Sequence, residues 1–300
     1  MTTQHHHDSG HRQGHTHDRH GHGHGHGNDH SHEDHGGKAG VAELLELEAA
    51  ALGPYSDEIA DWAAGLAAAA PRTIVDLGAG TGAGSIALAR RFPSAEVAAV
   101  DNSPHMLGRL SEAADRHGLG GRIHPLQADL DEDWPDIREA GLIWAASSLH
   151  EVAEPDRILA DAFSALASNG LLVAIEMDTL PRFLPRDVGL GEPGLELRCH
   201  EALARAGWNA HPDWREPLER AGFRVAAQRS FTPEARPGEA AGRYAHAFLT
   251  RIRRALDGEL SAADRRTLDH LLDAGNPDAL ANRGDLAVRV SRTAWAARRP

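Results

Sequence analysis

The sequence predicts an α/β protein with a doubly wound sheet of seven strands, mostly parallel, whose last strand is antiparallel. Three observations support this class. Short apolar runs, typical of parallel strands buried on both faces, alternate with segments of helical periodicity between residues 73 and 175. Four glycines follow the first of these runs. Two further strand-like segments near the end of the sequence complete the set.

The predicted elements follow one another in a regular order. Ile74 and Val75 begin the first strand, and the other six cover residues 96–100, 122–126, 141–146, 171–175, 223–231 and 286–297. Helices are predicted from apolar spacing and end signals at residues 86–89, from 103 onward, and at 156–167, 214–220, 240–257 and 261–273. Asn169-Gly170 is expected to end the helix of residues 156–167 as a left-handed cap, and Ser261 to cap the last helix.

Three further regions complete the predicted organisation. Residues 1–40 hold thirteen of the 21 histidines and almost nothing apolar, so we expect a disordered histidine-rich segment. Residues 41–300 form the folded domain, which begins with a helical cover at 41–70. Residues 179–210, rich in proline, glycine and arginine, are expected to form an insertion that covers the substrate.

Composition excludes several functional classes. The formal charge of −13 argues against a general nucleic-acid binder, and no apolar run approaches the length of a membrane span. The N-terminus is polar rather than signal-like, which makes the cytoplasm the expected location. Cys199 is the only cysteine, so no intrachain disulfide can form.

Imidazoles at the density of the first 40 residues bind transition metals, and His20, His22, His24 and His26 are the candidate ligands, with no requirement for the metal in catalysis.

The glycine segment predicts a cofactor site, but two cofactor classes fit it. Gly78, Gly80 and Gly82 open a strand–turn–helix unit in which backbone can approach a ligand closely. With Ala83 as the third small residue, the segment also fits the dinucleotide fingerprint of an NAD(P)-binding oxidoreductase. Asp76 favours the other class, because a carboxylate there would repel a pyrophosphate and attract the sulfonium and ammonium of S-adenosylmethionine.

The segment Asp76-Leu-Gly78-Ala-Gly80-Thr-Gly82 resembles the glycine motif of the class I S-adenosylmethionine-dependent methyltransferases that act on small molecules. The resemblance implies a Rossmann-like methyltransferase fold with an antiparallel pair at the end of the chain. It also implies site residues. Asp76 and the loop with Ala79 would hold the methionine part of the cofactor, Asp101 the ribose hydroxyls, and Asp129 with the Leu130 backbone the adenine, near Asn102 and Met106.

The loop after the fourth strand carries the remaining candidates. In the family this loop contacts the methyl group and the acceptor, which points to Ser147, Ser148 and His150. His150 is the candidate general base, because the ordinary pKa of histidine lies near working pH; a helix-capping or packing histidine is the alternative. Amino-methylating relatives often carry an acidic or Asn residue, Pro-Pro and an aromatic here, and this sequence does not.

The sequence therefore predicts methyl transfer from S-adenosylmethionine to a small-molecule acceptor. The alternatives are an NAD(P)-binding oxidoreductase and a metal-handling protein that acts through its histidine-rich segment. Neither a nucleic acid nor a membrane is expected as a partner.

Overall fold

The computed structural model describes residues 35–53, 55–208, 213–235 and 238–300. The helices are α1 (His35–Leu52), α2 (Tyr55–Leu66), α3 (Ala83–Arg91), α4 (Pro104–Arg116), α5 (Pro155–Ala165), α6 (Leu195–Arg205), α7 (Arg215–Arg220), α8 (Glu239–Ala255) and α9 (Ala262–Leu272). The strands are β1 (Thr73–Leu77), β2 (Glu96–Asp101), β3 (Ile123–Gln127), β4 (Ala140–Ala146), β5 (Leu166–Arg182), β6 (Arg224–Phe231), β7 (Glu234–Ala235) and β8 (Val288–Arg298).

The sheet confirms the predicted fold class. Its strand order is β3-β2-β1-β4-β5-β8-β6, which reverses direction beside β1 as in a doubly wound sheet. The pairs from β3 to β5 are parallel, whereas β8 is antiparallel to both β5 and β6. The two-residue strand β7 pairs with β8 and was not predicted.

The apolar strands pack on both faces because successive side chains point to opposite sides. Ile74, Leu142 and Val173 belong to one core cluster, which α2, α3 and α4 cover. Their neighbours Val75, Ile143 and Leu172 belong to the opposite cluster, which α5 and α7 cover. A third cluster joins α1, α6, α8 and α9 to the outer part of β5 and to β8.

Several predicted boundaries differ from the structure, most of all around residues 165–182. The helix predicted at 156–167 ends at Ala165, and the strand predicted at 171–175 begins already at Leu166 and continues to Arg182. Asn169 has the predicted left-handed φ of 63°, but it lies inside β5, where the pairing with β4 shifts register. The turn signal therefore marks an irregularity of the strand rather than a helix cap.

The start of the fold also differs. Helix α1 begins at His35, so residues 35–40, which were predicted to be disordered, are helical. The rest of the histidine-rich segment, with His20, His22, His24 and His26, lies outside the described residues. Among the residues that the structure describes, no helix is long and apolar enough to cross a membrane.

Candidate functional site

A cavity of about 750 Å³ opens at the carboxyl ends of the parallel strands, where open α/β sheets bind ligands. Its volume lies within the range of small-molecule sites, roughly 300–1,000 Å³. Nine of the residues predicted from the sequence line it, namely Gly78, Gly80, Asp101, Asn102, Met106, Asp129, Leu130, Ser147 and His150. Ser148, which was expected at the same edge, lines it too.

The glycine loop between β1 and α3 forms the floor of this cavity. Gly78 and Gly80 have φ values of 66° and 53°, in the left-handed region that favours glycine. A Cβ on Gly78 would lie 2.4 Å from the Cβ of Ser148, and one on Gly80 would lie 3.2 Å from Leu45. The loop is thus packed closely against α1 and against the segment after β4.

Asp101, at the end of β2, holds the glycine loop in place. One carboxylate oxygen accepts a hydrogen bond from the Gly80 N–H at 2.9 Å, and the other accepts from the Ser103 N–H at 2.9 Å. Each oxygen keeps acceptor capacity for a second donor, and the residue faces the cavity. Asp101 can therefore order the loop and accept a ligand hydroxyl at once.

Asp76 does not reach the cavity surface, contrary to the direct role predicted for it. It is 2% exposed, and its Oδ2 accepts from the Ser85 hydroxyl at 2.6 Å, behind the loop. Burial, together with the charge of Asp101, raises the pKa of Asp76 to about 7, although the hydrogen bonds from Ser85 oppose the rise. Because side chains alternate along a strand, a residue directly before the loop can face the core instead of the ligand.

Ala79 and Gly82 are also placed behind the surface of the loop. The Ala79 N–H donates to the carbonyl of Val100 at 2.9 Å, which ties the loop to β2. Gly82 caps the N-terminus of α3 with a φ of 93°, and a Cβ there would lie 2.8 Å from the Leu110 side chain. These positions shape the loop without lining the cavity.

The side of the cavity below β2 and β3 carries the group predicted to surround the adenine. Met106 is buried at the start of α4, and Asn102 is exposed beside it. Asp129 accepts from the Asp131 N–H at 3.0 Å, so its carboxylate is fixed in a tight turn after β3. These residues line the same cavity as the glycine loop, so one ligand could contact both the loop and Leu130.

Ser147 lies where β4 leaves the sheet, with a φ of 53° that is unusual for a residue with a side chain. Its N–H donates to the Ile175 carbonyl at 2.7 Å, and its hydroxyl accepts from Arg292 at 2.6 Å. Arg292, from β8, is 9% exposed and also donates to Glu48 of α1. This buried network, which the sequence analysis did not predict, ties α1 to the sheet over the cavity.

His150 lies between two carboxylates. Its Nδ1 is 2.6 Å from Glu176, which lies within β5, and its Nε2 is 3.1 Å from Glu151. The hydrogen bonds to Glu151 and Glu176 raise the pKa of His150 to about 10, although burial opposes them. The imidazole is therefore a cation at neutral pH. The role of general base stays a prediction, and it requires this arrangement to change.

The wall opposite the glycine loop comes from α6, α8 and the outer end of β5. Leu180, Leu203, Phe248 and Ile252 make it largely apolar. Arg251 of α8 lines the cavity mouth, where its guanidinium lies 6.0 Å from the ring of Trp208. Glu48, Tyr244, Arg251 and Arg292 line the cavity but were missed as site residues. The charge of Arg292 does not mark it in the sequence, because Arg289 and Arg298 lie on the same strand.

The donor set and the loop geometry fit S-adenosylmethionine. Gly78, whose Cβ position is blocked, and Gly80, whose φ lies in the left-handed region, leave backbone facing the cavity, and carboxylates line the side where ribose and adenine would lie. The buried hydroxyl of Ser148 lines the cavity without a hydrogen-bond partner among the described residues. No group of three or more potential metal ligands occurs in the described part of the chain.

Comparison with known proteins agrees with this geometry. Residues 74–170 match a family described as methyltransferase domain. Trans-aconitate 2-methyltransferase of Pseudomonas aeruginosa (strain UCBPP-PA14) is 34% identical over 146 residues, 43% of this chain and 49% of the relative. Demethylmenaquinone methyltransferase of Thermus thermophilus is 33% identical over 114 residues, 38% of this chain and 50% of the relative. The chain thus spans about half the length of these curated relatives.

A solved structure from Bacillus halodurans, described as a candidate methyltransferase, shares the fold with a TM-score of 0.51 at 16% sequence identity. The match covers 80% of this chain and 98% of that one.

Proposed function

We propose that the chain is a class I S-adenosylmethionine-dependent methyltransferase that transfers a methyl group from S-adenosylmethionine to a small-molecule acceptor, and the match of residues 74–170 to a methyltransferase domain supports this. The observation that carries the proposal is the glycine loop, which lines the cavity and whose Gly80 N–H donates to the carboxylate of Asp101. This loop lies within the segment that matches the methyltransferase domain.

Each part of the cavity would hold one part of the cofactor. The backbone at Gly78 and Gly80 would face the methionine part, and Asp101 would accept from the ribose hydroxyls. Asn102, Met106, Asp129 and Leu130 would surround the adenine. When bound there, the cofactor supplies an electrophilic methyl group next to Ser147 and His150. The remaining task of the chain is to align the acceptor with that group and to exclude water.

Helix α1 would exclude water from the cavity by covering it. Val41, Leu44 and Leu45 lie over the cavity, and the contact of Glu48 with Arg292 fastens the helix to β8. The predicted cover at residues 41–70 and the predicted insertion at 179–210 both contribute lining residues, which supports their proposed covering roles. The oxidoreductase and the metal-handling alternatives gain no support from the matched family or from these relatives.

Calorimetric titration of the full chain with S-adenosylhomocysteine tests the proposal. We expect micromolar binding, and we expect Asp101→Ala to weaken it by about ten- to a hundredfold, because a charge-assisted contact and the support of Gly80 are lost together. Asp133→Ala is the matched control, since it removes an exposed carboxylate nearby that does not line the cavity. Absence of binding by the unmodified chain would refute the cofactor assignment.

A further inference from the structure

Two buried hydrogen-bond donors of the cavity have no partner. Arg292 and Ser148 are each only 9% exposed, and both line the cavity. Neither the Nε–H of Arg292 nor the hydroxyl of Ser148 has a hydrogen-bond partner among the described residues. Because a buried donor without a partner is costly, these two groups indicate a position for the acceptor atoms of a ligand.

Both donors belong to the part of the cavity next to the glycine loop. A Cβ added to Gly78 would lie 2.4 Å from the Cβ of Ser148 and 3.3 Å from its hydroxyl oxygen. Arg292 reaches the same segment, because its Nη1 donates to the hydroxyl of the neighbouring Ser147 at 2.6 Å. Its guanidinium also lies 5.8 Å from the ring of Tyr55, a cation–π contact that restricts its orientation. The methionine part of the cofactor would bind at this loop.

Glu48 brings a carboxylate to the same part of the cavity from α1. A Cβ added to Gly80 would lie 3.2 Å from Leu45, and Glu48 follows Leu45 by three residues, on the same face of the helix. Glu48 lines the cavity, its side chain is 15% exposed, and it accepts from Nη2 of Arg292. A carboxylate can accept about four hydrogen bonds, so this contact leaves Glu48 with capacity for a further donor.

Other charged groups are less suited to this end of a ligand. Asp76, the carboxylate predicted to attract the ammonium of the cofactor, is 2% exposed and bonds to the Ser85 hydroxyl behind the loop. His150 lies between two carboxylates, and Arg251 lies at the cavity mouth. Among the cations that line the cavity in the described chain, Arg292 is the one with a buried N–H that lacks a partner.

We propose that Arg292 and Glu48 bind the amino-acid end of S-adenosylmethionine: the Arg292 Nε–H and the Ser148 hydroxyl donate to its carboxylate, and Glu48 accepts from its ammonium. This inference rests on the proposed methyltransferase function. The charges match, because a zwitterion placed against an ion pair brings each charge next to its opposite. Helix α1 then covers the cavity and also carries one half of the recognition.

Matched ligands test this subsite by equilibrium binding, without turnover. The full chain is titrated in a calorimeter with S-adenosylhomocysteine and with methylthioadenosine, which keeps the adenosine and the thioether but lacks the amino-acid end. We expect Arg292→Met to weaken binding of S-adenosylhomocysteine about ten- to a hundredfold and to change binding of methylthioadenosine by less than about twofold. Arg289→Met, which removes a charge from the same strand outside the cavity, should leave both affinities unchanged.

The decarboxylated analogue of S-adenosylhomocysteine separates the two halves of the subsite. This ligand keeps the ammonium and has no carboxylate, so Arg292→Met should not weaken its binding. Glu48→Gln should weaken the analogue and S-adenosylhomocysteine alike, by about tenfold, because both carry the ammonium that Glu48 accepts from.

Binding of methylthioadenosine shows that a variant is folded. If Arg292→Met has lost that binding too, the double variant Arg292→Met/Glu48→Gln, which leaves neither charge of the buried pair behind, is compared in the same way. Equal effects on S-adenosylhomocysteine and methylthioadenosine, including the loss of both in the double variant, refute the subsite, and so does the absence of any effect. In these cases the methyltransferase proposal stands. If S-adenosylhomocysteine does not bind the unmodified chain, the proposed function itself fails.

Discussion

Gly78 meets two separate requirements of the cavity floor. Its φ of 66° disfavours any side chain, and its Cα lies so close to the segment after β4 that a Cβ would overlap Ser148 at 2.4 Å. Gly118 has nearly the same φ, 68°, but open space around its Cβ position. The two residues therefore separate the effect of backbone conformation from the effect of close packing.

We predict that Gly118→Ala costs about 1 kcal/mol of unfolding free energy, the typical penalty for a left-handed residue with a side chain. Gly78→Ala should cost clearly more and should abolish binding of S-adenosylhomocysteine, because the loop must also move away from Ser148. Urea denaturation and calorimetry measure the two effects. Equal costs for both variants would mean that the loop tolerates the extra methyl group.

At the same scale, His150 shows what local sequence can and cannot reveal. Its place after a buried strand predicted that it would line the cavity, and it does. Its protonation could not be predicted, because Glu176 lies 26 residues away in sequence and meets His150 only when β4 and β5 pair. Charge partners that arise from strand pairing are invisible in a single segment.

Helix α6 and the end of β5 show how an insertion becomes part of the fold. Glu196, in the first turn of α6, is buried and accepts from the N–H groups of Phe183 at 2.7 Å and Leu184 at 3.2 Å. These bonds fasten the segment that leaves β5, and Leu180 just before it lines the cavity. Burial raises the pKa of Glu196 to about 7, although the same hydrogen bonds oppose the rise.

We predict that Glu196→Ala lowers the unfolding free energy by about 2 kcal/mol at pH 5, since it leaves two buried N–H groups without an acceptor. The raised pKa means that the folded state holds the proton more tightly than the unfolded state, whose ordinary value is 4.5. The contribution of the Glu196 carboxyl to the unfolding free energy is complete below pH 4.5 and is lost as the pH rises through 7. The loss of unfolding free energy caused by Glu196→Ala should therefore be smaller at pH 8 than at pH 5.

Urea denaturation at both pH values checks this, and Glu201→Ala, an exposed glutamate of the same helix, is the control. A loss that grows with pH would contradict the assigned direction of the shift.

For the whole molecule, the sequence predicts the sheet well and the helical wall of the cavity poorly. The strands could be predicted because a strand that is buried on both faces has a continuous apolar sequence. Residues 142–146 of β4, which lies between β1 and β5, are an example. The helical wall is assembled by α1, α6 and α8, whose apolar faces look like ordinary helix packing until their partners are known. Arg251 and Tyr244 became site residues only through that packing.

The cavity also bears on the histidine-rich segment. Within the described part of the chain, the residues that line the cavity lie between Val41 and Arg292. We therefore predict that removal of residues 1–34 leaves the affinity for S-adenosylhomocysteine unchanged within about twofold. Calorimetry on the shortened and the full chain, both treated with a chelator, measures this. A large loss of affinity would favour the reading in which the histidine-rich segment carries the main function.

The position of β8 imposes an order on biosynthesis. β6 pairs with β8 and not with β5, so a nascent chain that has passed residue 231 still has no sheet neighbour for β6 until residues 288–298 leave the ribosome. Arg292, which holds Ser147 and Glu48 in place, arrives in the same stretch. Without residues 288–298, β5 and β6 lack the strand that pairs with both, so we expect a chain that stalls before residue 288 to expose a strand edge.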